Sequence, residues 1–193
     1  KDKKSIPSTE QWKKFLLQLR EITDGPFEVD FGGGEALMKE DLFELIKFAA
    51  DLGFTTTVAS NGFLINEAVA KKISQSGLTK VILSLDSLDP DLHDSMRGVK
   101  GVHKRVINAI EYLDKYRHKD FIIGICSIIM GKTLPGVIDL YNWVANDDRI
   151  KHILYMAVMQ PNNTSTDLPW YEKFSDLWPQ DNKQINFIID QLI

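Results

Sequence analysis

Hydrophobic and polar positions along this chain switch between a period of two residues and a period of three to four. Apolar or alternating runs predict five strands, at residues 27–31, 55–59, 81–85, 121–130 and 153–159. Apolar residues at helical spacing predict helices at residues 8–20, 39–52, 66–76, 102–117 and 135–145. A short helical turn begins at Asp89-Pro90, and a last helix carries Ile185, Ile188, Ile189 and Leu192. Strands and helices therefore alternate along the chain.

This alternation predicts parallel strands joined by right-handed crossovers, in either a doubly wound sheet or a (β/α) barrel. Polar residues collect where the predicted strands end. They are Glu35, Ser60, Asn61, Ser84, Asp86 and Ser127. In both architectures ligands bind at the carboxyl ends of the strands, so these side chains are the candidate site.

Composition adds limits. The chain has 193 residues, is 44% hydrophobic and 26% charged, and carries a net charge of -4, as in a globular protein without a nucleic-acid surface. No apolar stretch is long enough for a membrane span. The single cysteine, Cys126, excludes an intrachain disulfide and indicates a reducing, cytoplasmic compartment. Because the chain begins without Met and closes inside a helical pattern, we expect a piece of a longer protein.

The segment Gly32-Gly33-Gly34-Glu35 matches neither a dinucleotide fingerprint, since Leu37 replaces the third glycine, nor a phosphate loop. The histidines lack metal-ligand spacing, and His103, His118 and His152 read as surface residues. Cys126, within an apolar run, reads as a buried, inert thiol. Three plain alternatives stay open: the glycine segment as a simple turn, Asn61 as a turn residue, and Arg97 in a surface ion pair with Asp94.

Four segments taken in order resemble the radical S-adenosylmethionine (SAM) superfamily, in the branch of the peptide maturases and molybdenum-cofactor enzymes. They are Phe-Gly-Gly-Gly-Glu at 31–35, Ala-Ser-Asn-Gly at 59–62, Leu-Ser-Leu-Asp-Ser at 83–87 and His-Asp-Ser-Met-Arg-Gly at 93–98. The resemblance implies a partial (β/α)6 TIM-like barrel in which the five strands here are the second to sixth. Residues 1–160 form that barrel, and residues 161–193 a linker and the start of an accessory helix.

The family's first strand and its C-x-x-x-C-x-x-C loop, which holds a [4Fe-4S] cluster, have no counterpart in this chain. The resemblance implies that this loop lies upstream of Lys1 and that no residue here binds metal. The family's usual proline after Gly-Gly-Glu is replaced by Ala36, which loosens the loop but keeps the acid. No catalytic residue is identified.

The resemblance assigns cofactor contacts residue by residue. Gly33, Gly34 and Glu35 hold the amino group of SAM, and Ser60 with Asn61 faces the ligand at the next strand end. Ser84 and Asp86, two residues apart and so on one side of a strand, meet its ribose or carboxylate. The remaining two positions are Arg97, for the SAM carboxylate, and Ser127, beside the adenine.

The implied activity is reductive cleavage of SAM to a 5′-deoxyadenosyl radical that modifies a peptide or a small molecule. The electron donor would be a flavodoxin or ferredoxin. One alternative is a degenerate, non-catalytic barrel that acts as a binding module. A flavodoxin-like domain for phosphorylated ligands ranks last, because no phosphate-binding loop is found.

Overall fold

The computed structural model describes residues 7–160 and 172–192. The strands are β1 (Glu28–Phe31), β2 (Thr55–Ser60), β3 (Lys80–Ser84), β4 (Ile122–Ile129) and β5 (Ile150–Ala157). The helices are α1 (Thr9–Ile22), α2 (Leu42–Asp51), α3 (Glu67–Gln75), α4 (Pro90–Arg97), α5 (Val102–Tyr116), α6 (Val137–Ala145) and α7 (Asn182–Leu192). Of the described helices, none combines the length and the apolar character that a membrane crossing requires.

The order of the strands distinguishes a doubly wound sheet from a (β/α) barrel. The sheet has five strands in the order β1-β2-β3-β4-β5, so each strand neighbours the next in sequence. A doubly wound sheet reverses its strand order at a switch point, whereas a (β/α) barrel does not. The predicted fold class, parallel strands alternating with helices in a barrel-like order, is confirmed, and the sheet is not closed.

The chain divides into two compact units, and the first comprises Lys1–Leu83 with Arg105–Ile123. Within it β1 pairs with β2, and β2 with β3, in parallel. One of its clusters buries Leu16, Ala49 and Phe54, which brings α1 and α2 together beside the sheet. Helix α1 begins with the predicted capping box, since Ser8 and Gln11 exchange side-chain to backbone hydrogen bonds.

The second unit comprises Ser84–Lys104 with Gly124–Ile193. Leu134 and Val137 bury themselves against Ile188 of α7, so the C-terminal helix packs on the start of α6. The polar stretch predicted as a loop at residues 162–166 lies outside the described residues. The division into residues 1–160 and 161–193 stays a prediction.

Three boundaries differ from the prediction. Helix α2 begins at Leu42 rather than at residue 39, because Ala36–Met38 first forms a 3-10 turn capped by Glu35. The turn at Asp89-Pro90 is a full helix, α4, capped by Asp89. Strand β5 begins at Ile150, three residues earlier than predicted, because buried Ile150 and exposed Lys151 already alternate as in a strand.

Candidate functional site

Glu35 is the centre of a polar cluster in the first unit. Its carboxylate accepts hydrogen bonds from the Ser60 hydroxyl at 2.9 Å and from the Asn61 backbone N–H at 2.9 Å. A weaker bond comes from the backbone N–H of Leu37, at 3.3 Å. All three donors are neutral, and Glu35 is only half-buried. Among the residues that the structure describes, the carboxylate is therefore held by neutral donors alone, and its charge is left uncompensated.

The glycine segment before Glu35 is open. Gly33 has a φ of +134°, a backbone conformation that side chains rarely adopt. A Cβ built on Gly32, Gly33 or Gly34 would meet no atom within 4 Å. Crowding from the described part of the chain therefore does not require these glycines, and it leaves their backbone open to a ligand.

Ser60 and Asn61 both contact Glu35, and their expected contacts with a ligand stay a prediction. The buried Ser60 hydroxyl donates to Glu35 and accepts from the Gly62 N–H at 3.0 Å. The Asn61 side-chain oxygen accepts from the Phe63 N–H at 2.9 Å, which is the turn role considered for it. In the structure both residues therefore orient Glu35 and shape the turn after β2.

Asp86 and Arg97 form an ion pair in the second unit. The Arg97 Nη2 lies 2.8 Å from the Asp86 Oδ2, and the Asp86 side chain is 1% exposed. The other carboxylate oxygen accepts from the Ile128 N–H at 3.0 Å. The alternative pairing of Arg97 with Asp94 is wrong, because the Asp94 carboxylate instead accepts from the backbone N–H groups of Gly101 and His103.

Asp94 holds the turn between α4 and α5, and those two N–H bonds lower the pKa of its carboxyl group. Because the Asp94 carboxylate accepts backbone hydrogen bonds, Arg97 pairs instead with Asp86, in the segment that follows β3. Strand β3 ends at Ser84, so Asp86 lies beyond it and the expected same-side alternation does not apply there.

His93 is the functional candidate that the sequence did not reveal. Its side chain is fully buried in α4, and its Nδ1 accepts the backbone N–H of Asp86 at 3.2 Å. Burial is the main cause that lowers the pKa of His93 to about 4. The ring of His103 packs edge-on against it, with centroids 5.8 Å apart. The prediction of His103 as a surface residue is wrong, because its Nε2 is enclosed.

Three other predicted residues lie near the strand ends. Ser84 is the half-buried last residue of β3, and Ser127 is a buried residue of β4. Cys126, also on β4, is half-buried, and burial raises the pKa of its thiol. This agrees with an inert thiol rather than a nucleophile.

A cavity of about 380 Å³ lies beside the glycine segment in the first unit. Its lining is mostly apolar and comes from α1, β1 and α2, including Trp12, Phe15 and Val29. Helical spacing alone predicted a stripe on α1, yet only Leu16 is buried there, whereas Phe15 is 50% exposed. Trp12 and Phe15 of α1 therefore line this cavity rather than the buried core, which helical spacing alone did not predict.

Comparisons with known proteins agree on one family. The sequence model of the radical SAM superfamily matches residues 1–137. The AdoMet-dependent heme synthase of Oleidesulfovibrio alaskensis is 34% identical over 139 residues, 72% of this chain and 34% of that protein. The PqqA peptide cyclase of Bradyrhizobium diazoefficiens is 30% identical over 105 residues, 54% of this chain and 27% of that protein. The chain thus spans about a third of these relatives.

Solved structures give the same fold. The crystal structure of Streptococcus suis SuiB bound to S-adenosylmethionine matches with a TM-score of 0.73 at 17% identity, over 100% of this chain and 42% of SuiB. Native anSMEcpe with bound AdoMet matches with a TM-score of 0.67 at 21% identity, over 87% of this chain and 47% of that one. Sequence and fold agree that this chain belongs to the radical SAM superfamily.

Proposed function

We propose that this chain is the SAM-binding core of a radical SAM enzyme. The observation that carries the proposal is the Glu35 carboxylate, fixed by neutral donors and bearing an uncompensated charge beside an open glycine backbone. An ammonium group presents three donors and a positive charge, which such a carboxylate and nearby carbonyls satisfy. Gly33, Gly34 and Glu35 would hold the amino group of SAM, with Ser60 and Asn61 orienting the acid.

The second unit would contribute separately. Arg97 commits one N–H group to Asp86 and keeps further donors on a side chain that is 26% exposed, so we propose that it binds a ligand carboxylate. Ser84 and Ser127 stay proposed contacts to the ribose and the adenine. The [4Fe-4S] cluster finds no fitting ligands here, because residues 7–160 and 172–192 contain no group of His, Cys, Asp and Glu able to hold a metal.

When bound beside a reduced cluster, SAM would supply hydrogen-abstraction chemistry, with one electron coming from the cluster and methionine leaving. This chain's own residues bind and orient SAM, and the cluster's cysteines come from elsewhere. The substrate is a peptide or a small molecule, since the relatives include a protein named PqqA peptide cyclase and others named AdoMet-dependent heme synthase. We propose a flavodoxin or ferredoxin as the electron donor.

Binding of S-adenosylhomocysteine to the intact protein, measured by calorimetry, tests the role of Glu35. Glu35→Gln keeps the size of the side chain but removes its charge, so we expect affinity to fall about tenfold or more, as for the loss of a charged hydrogen bond. Glu40→Gln, an exposed acid in the same segment, is the matched control and leaves affinity unchanged. Equal affinities of the two variants would contradict the assignment.

Anaerobic reconstitution of the intact protein separates the enzyme from a non-catalytic binding module. The enzyme, given SAM and a reductant, releases 5′-deoxyadenosine, which chromatography detects. A protein that takes up the cluster and binds SAM but never cleaves it is the binding module. Candidate peptides and porphyrin precursors are then compared as two arms, scored by consumption of each.

A further inference from the structure

The second unit contains a buried network whose geometry has a use beyond stability. Three side-chain nitrogens are enclosed there without a hydrogen-bond partner: His93 Nε2, Arg97 Nε and His103 Nε2. Buried polar atoms are rarely left unpaired, because each loses its contacts with water. Two of them belong to His93 and Arg97, which both contact Asp86, and this indicates a site that is arranged for something other than the best packing.

His93 fixes the backbone of Asp86. Its Nδ1 accepts the Asp86 N–H at 3.2 Å, so the ring proton resides on Nε2 and the imidazole is neutral. Burial and the nearby Arg97 and His103 favour that neutral form, because they lower the pKa of His93 to about 4. Protonation of Nδ1 would replace this acceptor by a donor and break the contact.

The Asp86 carboxylate is then held from two further directions. Oδ1 accepts the Ile128 N–H at 3.0 Å, and Oδ2 lies 2.8 Å from Arg97 Nη2. The His93 Nδ1 is 3.6 Å from the same Oδ2, beyond hydrogen-bond distance. His93 therefore acts on the backbone of Asp86 rather than competing for its carboxylate.

His93 and Arg97 are four residues apart on α4 and so lie on one face of that helix. Asp86 contacts both, one through its backbone and the other through its carboxylate. The Arg97 side chain is 26% exposed although its partner is 1% exposed, so the ion pair joins a buried carboxylate to a partly exposed cation.

We propose that His93 is a positioning residue: it fixes Asp86 and, through Asp86, holds the Arg97 guanidinium in the orientation that binds a ligand carboxylate. This proposal rests on the proposed function, in which that ligand is SAM. A hydrophobic residue at position 93 would fill the same space but leave the Asp86 N–H without an acceptor. Arg97 would keep its charge and lose its fixed orientation.

The test compares two ligands on the intact protein by calorimetry: S-adenosylhomocysteine, and the analogue of that thioether that lacks the carboxylate. His93→Leu should weaken binding of S-adenosylhomocysteine about tenfold and leave the analogue unchanged, because only the carboxylate needs an oriented guanidinium. His93→Asn, which carries an acceptor on Cγ where histidine carries Nδ1, should stay within about threefold of the wild type. His93→Gln moves that acceptor one bond further and should resemble His93→Leu.

Equal losses for both ligands in His93→Leu would show a purely structural role and overturn the proposal. So would unchanged affinity for S-adenosylhomocysteine, while the Glu35 result still upheld the proposed function. If His93→Leu fails to fold, His93→Asn and His93→Gln decide, and equal binding by these two overturns the proposal. A wild-type protein that binds neither ligand overturns the proposed function and this inference together.

Discussion

Two carboxylates, one in each unit, follow strand ends and yet have opposite surroundings. Glu35 is half-buried and accepts only neutral donors, from Ser60, Asn61 and Leu37. Asp86 is buried and lies 2.8 Å from a guanidinium. Among the described residues, no cation lies within ion-pair distance of Glu35.

The two clusters therefore differ in the charge that each presents to a ligand. Neutral donors immobilise Glu35 without cancelling its charge, so the full negative charge of the carboxylate is available to a bound cation. Arg97 neutralises the charge of Asp86, and the remaining N–H donors of this ion pair are those of the Arg97 guanidinium. One cluster is therefore suited to an ammonium group and the other to an anion, although the residue central to each is an acid.

The largest effect that tests this contrast is expected at Asp86. Asp86→Ala leaves the Ile128 N–H and Arg97 without their acceptor, and breaking a buried pair by removing one partner costs about 3 kcal/mol. Urea unfolding measures the loss. Asp91→Ala, an exposed acid of the same helix, is the control and should change the free energy of unfolding by about 0.5 kcal/mol or less. Similar losses in the two variants would contradict a buried, paired Asp86.

The pH dependence of stability sharpens the contrast, because only the Asp86 cluster contains a buried neutral histidine. The pKa of His93 is about 4 in the folded protein against an ordinary value of 6.5, so the unfolded chain binds the proton more readily between these values. Stability contributed by neutral His93 is complete above pH 6.5 and is lost as the pH falls towards 4, by about 3 kcal/mol.

Unfolding free energies of the wild type and of His93→Asn, measured across that pH range, isolate this contribution. Other titrating groups act equally in both proteins, so the difference between the curves belongs to position 93. The wild-type curve should fall more steeply with decreasing pH. Parallel curves would show that His93 titrates in the folded protein near its ordinary value.

A smaller loss of stability is expected at Glu35. Glu35→Ala removes an acceptor from three donors, but its half-exposed position lets water replace part of what is lost, so we expect a cost of about 1.5 kcal/mol. The same urea titration measures it. A loss as large as that of Asp86→Ala would remove the distinction between the two acids.

The smallest effect concerns the glycine segment. Gly33→Ala places a side chain at a φ of +134° and should cost about 1 kcal/mol. Gly34→Ala, with open space and no positive φ, should raise the free energy of unfolding by about 0.5 kcal/mol and is the matched control. Thermal unfolding compares the pair, and a reversed order would show that the segment adopts another conformation in solution.

Periodicity was enough to predict the strands and helices, because each period reports burial of one face of the element. The alternation of strands with helices then predicted that the strands are parallel. Strand-end position also brought Ser60 and Asn61 to Glu35 correctly, since neighbouring parallel strands end at one edge. The details within the cluster were not predictable. Which atom of Asn61 meets Glu35 depends on a turn that its own side chain closes.

The Asp86 cluster was harder to predict because its contacts link residues of different elements. A single histidine in a short polar helix carries no sequence signal for full burial. The choice of Arg97 between Asp94 and Asp86 depends on the backbone of the following turn, which claims Asp94. Local spacing favoured the nearer acid, and the tertiary structure reversed that preference.

The sequential strand order also has a consequence for how the chain folds. Glu28 pairs with Thr55, and Thr57 with Lys80, so the first two pairings close segments of nearly equal length. The entropy of closing a loop grows only with the logarithm of its length, so neither pairing is much harder to form than the other. Each strand can therefore join the growing sheet as soon as its own helix has been synthesised. The first unit is expected to assemble progressively, strand after strand, from β1 onward.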